Sequence, residues 1–467
     1  MDDAGRRCSA YADDALGRDD MVGLLDRLAR REVSAAELRE AATARARAVQ
    51  PELNAVTVWV EEPPIGVAHA APFAGVPTLI KDNEPLAGYP TSHGSSCTSD
   101  RPETTSSPWV AHALALGLSP IAKTALSEFG LTATTETERF GATRNPWDVG
   151  RSSGGSSGGT AALVAAGVVP LGHGNDGGGS IRIPAACCGL VGLKPTRGRL
   201  PDAAFSLPVD ITVQGVLTRT VRDTARYYAE AERQHPVADL PPIGLVEGPS
   251  AARLRVGVVT VPPMGLPVSD EVVALVRATA ELMAGLGHEV VEIPHPVDDS
   301  FGPDFLRYWG LLAGLIRVAG TLDRRSGFDA SRVEPFTREL AKVARDQAPL
   351  MPGTLRRLRA LARDHETVYD SCDVVLSPVL AHEPAAIGWL GPDVDPHTHL
   401  LRVLRYVSFT PLQNVSGSPA ISLPLGRSAT DLPMGMQLAA PFGQERRLIE
   451  LAFELEAAAP WPSLVPA

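Results

Sequence analysis

This chain of 467 residues contains no long apolar run and no CxxC motif. Its first residues are acidic and contain no hydrophobic stretch of signal-peptide length, and no run approaches the roughly 18 apolar residues of a membrane-spanning helix. The five cysteines are scattered and form no CxxC pair, which is typical of reduced thiols rather than of a disulfide framework or a zinc site. The sequence therefore predicts a soluble, cytoplasmic protein that does not contact a membrane.

Positive charge is also scarce, because 43 lysines and arginines stand against 54 aspartates and glutamates and leave a net charge of −11. An acidic chain repels phosphate backbones, so nucleic acid is not an expected partner. Lysine occurs only as Lys81, Lys123, Lys194 and Lys342. A residue this rare is most informative where it lies inside an unusual motif.

The remaining composition is that of a globular protein, with 44% hydrophobic and 21% charged residues. Helical spacing over 20–48, a buried strand over 77–80, a helix near 107–117 and a strand near 118–122 give an alternating α/β order. Because no internal repeat or long linker divides the chain, we predict a single large α/β domain over 1–467.

Glycine and serine dominate residues 150–160, which read Gly-Arg-Ser-Ser-Gly-Gly-Ser-Ser-Gly-Gly-Thr. Glycine lets the backbone approach a ligand closely, and a helix that follows such a turn presents free N–H groups to an anion. A flexible linker is disfavoured because structured apolar sequence flanks the segment. A phosphate loop is disfavoured because no Lys-Ser or Lys-Thr pair follows the last glycine.

A second glycine-rich segment, predicted as a turn over 172–180, ends in Gly177, Gly178, Gly179 and Ser180. Successive glycines can direct backbone N–H groups at one point, which is how an oxyanion hole is built. A serine nucleophile beside such a hole needs a base. His173 is near in sequence, but a GxSxG elbow on a strand-to-helix turn is not evident, so a packing or supporting role is favoured for this histidine.

At these residues the chain resembles the amidase signature family. The family's Gly-Gly-Ser-Ser-Gly-Gly block stands at 154–159, its Gly-Gly-Ser-Ile-Arg-Ile-Pro block at 178–184 and its Gly-Leu-Lys-Pro-Thr block at 192–196. Residues 77–83 (Pro-Thr-Leu-Ile-Lys-Asp-Asn) look like the family's lysine motif. Segments similar to the family's C-terminal strand and closing helix are 411–425 and 448–456. The resemblance covers nearly the whole chain and is densest between 72 and 200.

The resemblance implies a mixed, twisted β-sheet flanked by helices on both faces, with an N-terminal helical region over 1–70, the signature core over 72–220 and the rest of the sheet over 221–467. It also implies a Ser-Ser-Lys triad. No metal or organic cofactor is expected, because no ligand cluster with metal spacing appears in the sequence. The nucleophile falls on Ser180 and the general base on Lys81. The bridging serine falls on Ser156, which in the family follows a cis peptide bond.

Further roles follow from the same motifs. The oxyanion donors implied by the family are the backbone N–H groups of Gly177, Gly178, Gly179 and Ser180. Asp176 and Arg182 flank the nucleophile, and we expect them to pair and hold the turn, while Ser157 donates a supporting hydrogen bond.

The segment 173–182 resembles the branch of the family that contains the hydrolases of the 6-aminohexanoate cyclic dimer. Many members carry threonine where this chain has Gly177, so the site is expected to be wider here. Cys187 and Cys188 are expected to be buried packing residues, and Lys123 and Lys194 to make structural contacts. For His382, His397 and His399, a loop at the pocket or a dimer contact is favoured over a metal site.

The substrate pocket is expected to be formed by the variable segments 125–150, 200–212, 300–350 and 382–407. Their aromatic residues predict a partly apolar site for a small-molecule amide: Phe140, Trp147, Phe205, Trp309, Phe336, Trp389 and Tyr406. A homodimer is compatible with the sequence.

The leading hypothesis is a cofactor-free amidohydrolase. The alternatives are the glutaminase subunit of a tRNA-dependent amidotransferase, an esterase or carbamate hydrolase with the same triad, and a non-catalytic binding protein. The acidic charge and Gly177 disfavour the amidotransferase subunit. The presence of all three triad positions disfavours the binding protein.

Overall fold

A computed structural model describes residues 5–68, 70–202, 207–322 and 327–464. The described residues form thirteen α-helices: α1 (Met21–Ala29), α2 (Ala35–Leu53), α3 (Pro108–Ala115), α4 (Gly158–Ala165), α5 (Arg182–Cys188), α6 (Val221–Gln234), α7 (Asp270–Gly285), α8 (Phe301–Leu322), α9 (Pro335–Asp346), α10 (Met351–Asp364), α11 (Pro396–Tyr406), α12 (Pro411–Ser416) and α13 (Glu445–Ala458). Their strands are β1 (Val56–Trp59), β2 (Pro77–Lys81), β3 (Ser119–Thr124), β4 (Glu136–Thr137), β5 (Gly141–Ala142), β6 (Arg144–Asn145), β7 (Asp148–Ser152), β8 (Leu171–Asp176), β9 (Val191–Lys194), β10 (Val213–Thr218), β11 (Arg255–Val258), β12 (Glu289–Glu292), β13 (Val374–Pro378), β14 (Ala420–Arg427) and β15 (Pro433–Ala439).

Eight strands form the main sheet in the order β12-β11-β13-β15-β14-β9-β10-β8. The pairs β11–β12 and β11–β13 are parallel, and the other neighbours are antiparallel. The sheet is therefore mixed, as the resemblance implies.

Helices pack on both faces of this sheet. Side chains along each strand alternate between the two faces, so neighbouring residues of one strand contact different helices. In β15, Met434 and Met436 belong to the same apolar cluster as Leu448 of α13, whereas Gln437 is hydrogen-bonded to Arg182 of α5. The predicted fold class is confirmed. Within the described ranges, no helix has the length and apolar character needed to cross a membrane.

A smaller sheet, β1-β3-β2, lies beside the β8 edge of the main sheet. The hydroxyl of Thr78 donates to the carbonyl of Leu171, and the backbone N–H of Lys81 donates to Nδ1 of His173. These two bonds connect β2 to β8. They bring the end of the lysine strand next to the strand that leads to the glycine turn.

The prediction of a turn over 172–180 is wrong for its first half, because 171–176 forms the strand β8. Gly172 is inside that strand, where a Cβ atom would lie 2.5 Å from Cγ2 of Thr160. Glycine here allows close approach of a neighbouring element and does not mark a turn. The turn begins only after Asp176.

Candidate active site

Lys81 is the last residue of β2, and its side chain is wholly buried. Its Nζ donates to Oγ of Ser156 over 2.7 Å and to Oδ1 of Asn175 over 2.6 Å. Burial lowers the pKa of Lys81 to about 7, although the charges of Asp176 and Glu84 act in the opposite direction. The neutral form of Lys81 is therefore accessible near pH 7.

The glycine-serine segment leads into α4, and a cis peptide bond joins Gly155 to Ser156, as the resemblance implies. Ser156 Oγ contacts Lys81, while the hydroxyl of Ser157 donates to the carbonyl oxygen of Ser180 over 2.5 Å. The two adjacent serines thus contact the two other parts of the predicted machinery. The supporting hydrogen bond expected of Ser157 is present.

The turn between β8 and α5 contains Gly177, Gly178, Gly179 and Ser180. Thr410 donates from Oγ1 to the carbonyl of Gly178 over 2.6 Å, and the N–H of Gly179 donates to Oδ1 of Asp176 over 2.7 Å. Because Asp176 engages that N–H group, the prediction that Gly179 is an oxyanion donor needs correction. Gly177, Gly178 and Ser180 line the adjoining cavity.

Asp176 and Arg182 form a fully buried ion pair, with 2.9 Å between Nη2 and Oδ1. Burial would raise the pKa of Asp176, but Arg182 and Asn414 hold it well below its usual range. Arg182 also donates to the carbonyl of Thr410 and to Oε1 of Gln437. The pair connects the turn to α12 and β15, which agrees with the predicted structural role.

His173 supports the lysine through the backbone. Its Nδ1 accepts the N–H of Lys81, and its Nε2 lies 2.8 Å from Oε1 of Gln214. Burial lowers the pKa of His173 to about 3, so the ring is neutral and its Nε2–H donates to Gln214. The ring packs against Trp109, with 3.9 Å between the centroids. The supporting role expected from the sequence agrees with these contacts.

Asn175 is a site residue that the sequence reasoning missed. In a strand, alternate residues share a face. His173 and Asn175 both contact Lys81 for this reason. The two-residue spacing of His173 and Asn175 is the sequence signal that both side chains lie on the lysine-facing side of a strand, and a turn at this segment does not predict it.

A cavity of about 410 Å³ opens beside Ser180. Each predicted variable segment contributes to its lining, which consists of Phe129, Gly130, Leu131, Thr132, Ala133, Gly155, Gly177, Gly178, Ser180, Ile183, Leu207, Ile211, Thr212, Phe305, Trp309, Leu312, Leu315, Ile316, Ala319, Val403, Leu404, Val407 and Pro411.

Of the predicted aromatic residues, only Trp309 is among the described lining residues. The indole of Trp147 donates to the carbonyl of Cys188, and Tyr406 packs against His382 and Trp389. The prediction is wrong for Phe140, Trp147, Phe336, Trp389 and Tyr406, because none of them is among the described lining residues. Phe205 lies outside the described residues.

Lys123 and Lys194 each contact groups outside the proposed triad. Lys123 forms an ion pair with Asp82 and donates to the carbonyl of Pro90, and Lys194 donates to the carbonyl of Pro195. Both have the structural contacts expected of them.

His399 is stacked on Phe336 and contacts Thr132, whereas His397 is exposed. Cys187 and Cys188 are buried, as predicted. Within the described parts of the chain, no group of three or more His, Cys, Asp or Glu residues could hold a metal ion.

Comparison with known proteins supports the resemblance across the chain. The family model described as Amidase matches residues 37–449. The putative amidase AmiC of Mycobacterium leprae is 46% identical over 463 residues, which cover 98% of each chain. The 6-aminohexanoate-cyclic-dimer hydrolase of a Pseudomonas species is 37% identical over 477 residues, covering 93% of this chain and 94% of that protein.

Solved structures give the same result. A structure of 6-aminohexanoate cyclic dimer hydrolase with its substrate matches with a TM-score of 0.84 and 33% identity, covering 96% of this chain and 98% of that one. A bacterial aryl acylamidase of the amidase signature family matches with a TM-score of 0.79 and 25% identity over 95% of this chain and 97% of that one. The chain therefore belongs to the amidase family and is an amide-hydrolysing enzyme.

Proposed function

We propose that this enzyme cleaves a carboxylic amide through a covalent acyl-enzyme on Ser180, with Lys81 as the general base and Ser156 as the proton relay. The observation that carries the proposal is the 2.7 Å contact between Nζ of Lys81 and Oγ of Ser156. The lysine is fully buried and its pKa is lowered to about 7. Neutral lysine is therefore available at physiological pH without a metal or another base.

In the first step, neutral Lys81 takes the proton of Ser156, and Ser156 takes the proton of Ser180. The oxygen of Ser180 attacks the amide carbon, and the carbonyl electrons move onto oxygen. The same relay then returns a proton to the nitrogen as the C–N bond breaks and the amine leaves. Water, deprotonated by the same route, attacks the ester and releases the carboxylic acid from Ser180.

The negative oxygen of the intermediate is expected to bind the backbone N–H groups of Gly177, Gly178 and Ser180, three residues that line the cavity. Oxyanion donors accelerate acyl transfer because they are oriented before charge develops. Asp176 and Thr410 hold the turn through the N–H of Gly179 and the carbonyl of Gly178. These bonds keep the peptide groups of the turn in one orientation before substrate binds.

A fluorophosphonate probe tests the nucleophile directly. We expect one covalent adduct per chain, located on Ser180 by peptide mass mapping, and no adduct in a folded Ser180→Ala variant. Ser153→Ala is the matched control, because it removes a buried serine hydroxyl of the same segment that donates to the carbonyl of Thr143, and it should still be labelled. An adduct on Ser156 or Ser157 in the wild-type enzyme would reverse the assignment.

A further inference from the structure

One face of the long helix α8 forms a wall of the cavity beside Ser180. Its lining residues recur at intervals of three and four, so they share one helical face: Phe305, Trp309, Leu312, Leu315, Ile316 and Ala319. From Phe305 to Ala319 the helix rises about 21 Å at 1.5 Å per residue. Val403, Leu404 and Val407, in and just after α11, also line the cavity. We call this elongated space the α8 trough.

The α8 trough has a catalytic end and an open end. Phe305 marks the catalytic end, because a Cβ atom on Gly178 would lie 3.6 Å from Cζ of its ring. Trp309 follows, with its ring 6.5 Å from that of Phe305. Leu315, about two helical turns beyond Trp309, is 41% exposed and marks the open end of the trough. A group in the trough would therefore extend from the reacting carbonyl towards solvent along α8.

The described lining of the trough has no charged side chain. Its polar side chains are Thr132, Ser180 and Thr212. Thr132 is hydrogen-bonded to His399, and burial lowers the pKa of that histidine to about 4, so the ring is neutral. A charged substrate group in this space would lose its hydration without gaining an ionic partner, which is costly.

We propose that the α8 trough binds an elongated, uncharged, apolar group of the amide substrate. This inference rests on the proposed function, because it takes Ser180 as the end of the trough where the carbonyl group reacts. It names a substrate class that the shared catalytic machinery does not determine. Free glutamine, with two charges, is excluded from this class.

Two series of amides test the length dependence. The first lengthens the acyl side as primary amides from propanamide to decanamide, and the second lengthens the amine side as N-alkyl acetamides. A buried methylene group is worth about fourfold in binding, so kcat/KM should rise by about two- to fourfold per methylene in one series until the trough is filled. The rising series identifies which side of the substrate occupies the trough. A flat response in both series overturns the proposal.

A matched pair tests the charge requirement. For a rising acyl series the pair is heptanamide and 6-aminohexanamide, and for a rising amine series it is N-hexylacetamide and N-(5-aminopentyl)acetamide. The two members of each pair have the same chain length, but the second ends in an ammonium group. We expect kcat/KM for the uncharged member of the pair to be at least 100-fold higher. Equal rates, with activity lost in Ser180→Ala, would overturn the trough proposal and leave the proposed function intact. If the enzyme cleaves none of these amides but the fluorophosphonate probe labels Ser180, the trough proposal fails and the proposed function stands; if the probe does not label Ser180 either, both fail.

Two tryptophan substitutions on α8 test the location. Leu312→Trp would block the trough about 10 Å from Phe305 along the helix. It should lower kcat/KM for the longest members of the rising series at least tenfold and leave its shortest member within threefold of wild type. Val318→Trp is the control, because Val318 is 57% exposed and is not among the lining residues. Equal behaviour of the two variants towards the long substrates would overturn the placement.

Discussion

Lys81 and Lys123 lie on adjacent parallel strands, β2 and β3, and both side chains are fully buried. Lys123 has a carboxylate partner, with 2.8 Å between its Nζ and Oδ1 of Asp82. The near neighbours of Lys81 Nζ are neutral, namely Ser156 Oγ and the side-chain oxygen of Asn175. The two lysines are equally buried, but Nζ of Lys123 contacts a charged carboxylate whereas Nζ of Lys81 contacts neutral oxygens.

That difference separates a structural cation, Lys123, from the proposed base, Lys81. Burial lowers the pKa of both lysines, but at Lys123 the charge of Asp82 opposes the shift. At Lys81 the opposing carboxylates, Asp176 and Glu84, are not hydrogen-bonded partners of Nζ, and the pKa falls to about 7. A buried lysine becomes a usable base at neutral pH when its contacts are polar but uncharged.

The largest effect on kcat/KM is expected from replacing Lys81, the proposed base. Arginine cannot lose its proton in a protein, so Lys81→Arg should be as inactive as Lys81→Ala. Both should lose at least the ~10²–10⁴ typical of general-base catalysis. The measurement is kcat/KM for a primary amide at pH 8, with circular dichroism to verify folding. If Lys81 acted only as a fixed positive charge, the folded arginine variant would remain within tenfold of wild type.

Removing each lysine should have opposite effects on stability. Lys123→Met leaves Asp82 as an unpaired buried charge and should destabilise the fold by about 3–5 kcal/mol. Lys81→Met removes a lysine that is costly to bury as a cation and should stabilise the fold at pH 7. Urea unfolding of both variants at pH 7 provides the test.

The pH dependence of the Lys81→Met effect follows from its lowered pKa. The unfolded lysine titrates near 10.4 and the folded one near 7, so between these values the unfolded chain binds more protons and wild-type stability rises with pH. The advantage of Lys81→Met should be largest below pH 7 and disappear by about pH 10. A destabilised Lys81→Met variant at pH 6 would contradict this reasoning.

Asn175→Asp should make Lys81 resemble Lys123. The substitution is nearly isosteric and places a carboxylate oxygen at the position that now lies 2.6 Å from Nζ. A close opposite charge raises a lysine pKa by roughly 1–3 units. We expect the acid limb of the wild-type kcat/KM profile near pH 7. In Asn175→Asp it should move up by at least one unit, and activity at pH 7 should fall about tenfold. Recovery above pH 9 would separate this effect from misfolding, whereas an unshifted limb would refute it.

Features with a local physical cause could be predicted from the sequence. Ser34 and Glu37 have the three-residue spacing of a capping box, and they form one at the start of α2. The helix predicted near 107–117 and the strand predicted near 118–122 are α3 and β3, with small shifts at their ends. Ser156 and Lys81 were found through motifs that identify the family, and the structure brings them into contact.

Features that depend on distant packing could not be predicted in this way. Trp147 and Trp309 were equal candidates for the pocket, but only Trp309 lines the described cavity. Which ring faces the substrate depends on how α8 is placed against the glycine turn, and no local pattern encodes this placement. Phe129 and Phe305 were overlooked for the same reason.

The smallest effect is expected at a third buried lysine, Lys194, at the end of β9. Burial, aided by the charge of Arg182, lowers its pKa to about 7, the same value as for Lys81. A wild-type pH profile alone therefore could not assign the acid limb. Lys194 donates to the carbonyl of Pro195 and has no serine hydroxyl among its hydrogen-bond partners in the described structure, so it has no proton to relay. Lys194→Met should keep the limb near pH 7 and kcat/KM within about threefold of wild type. If the acid limb vanished in Lys194→Met and stayed at the wild-type pH in Asn175→Asp, the titrating base would be Lys194. A lowered lysine pKa would then suffice for catalysis without a hydrogen-bonded serine.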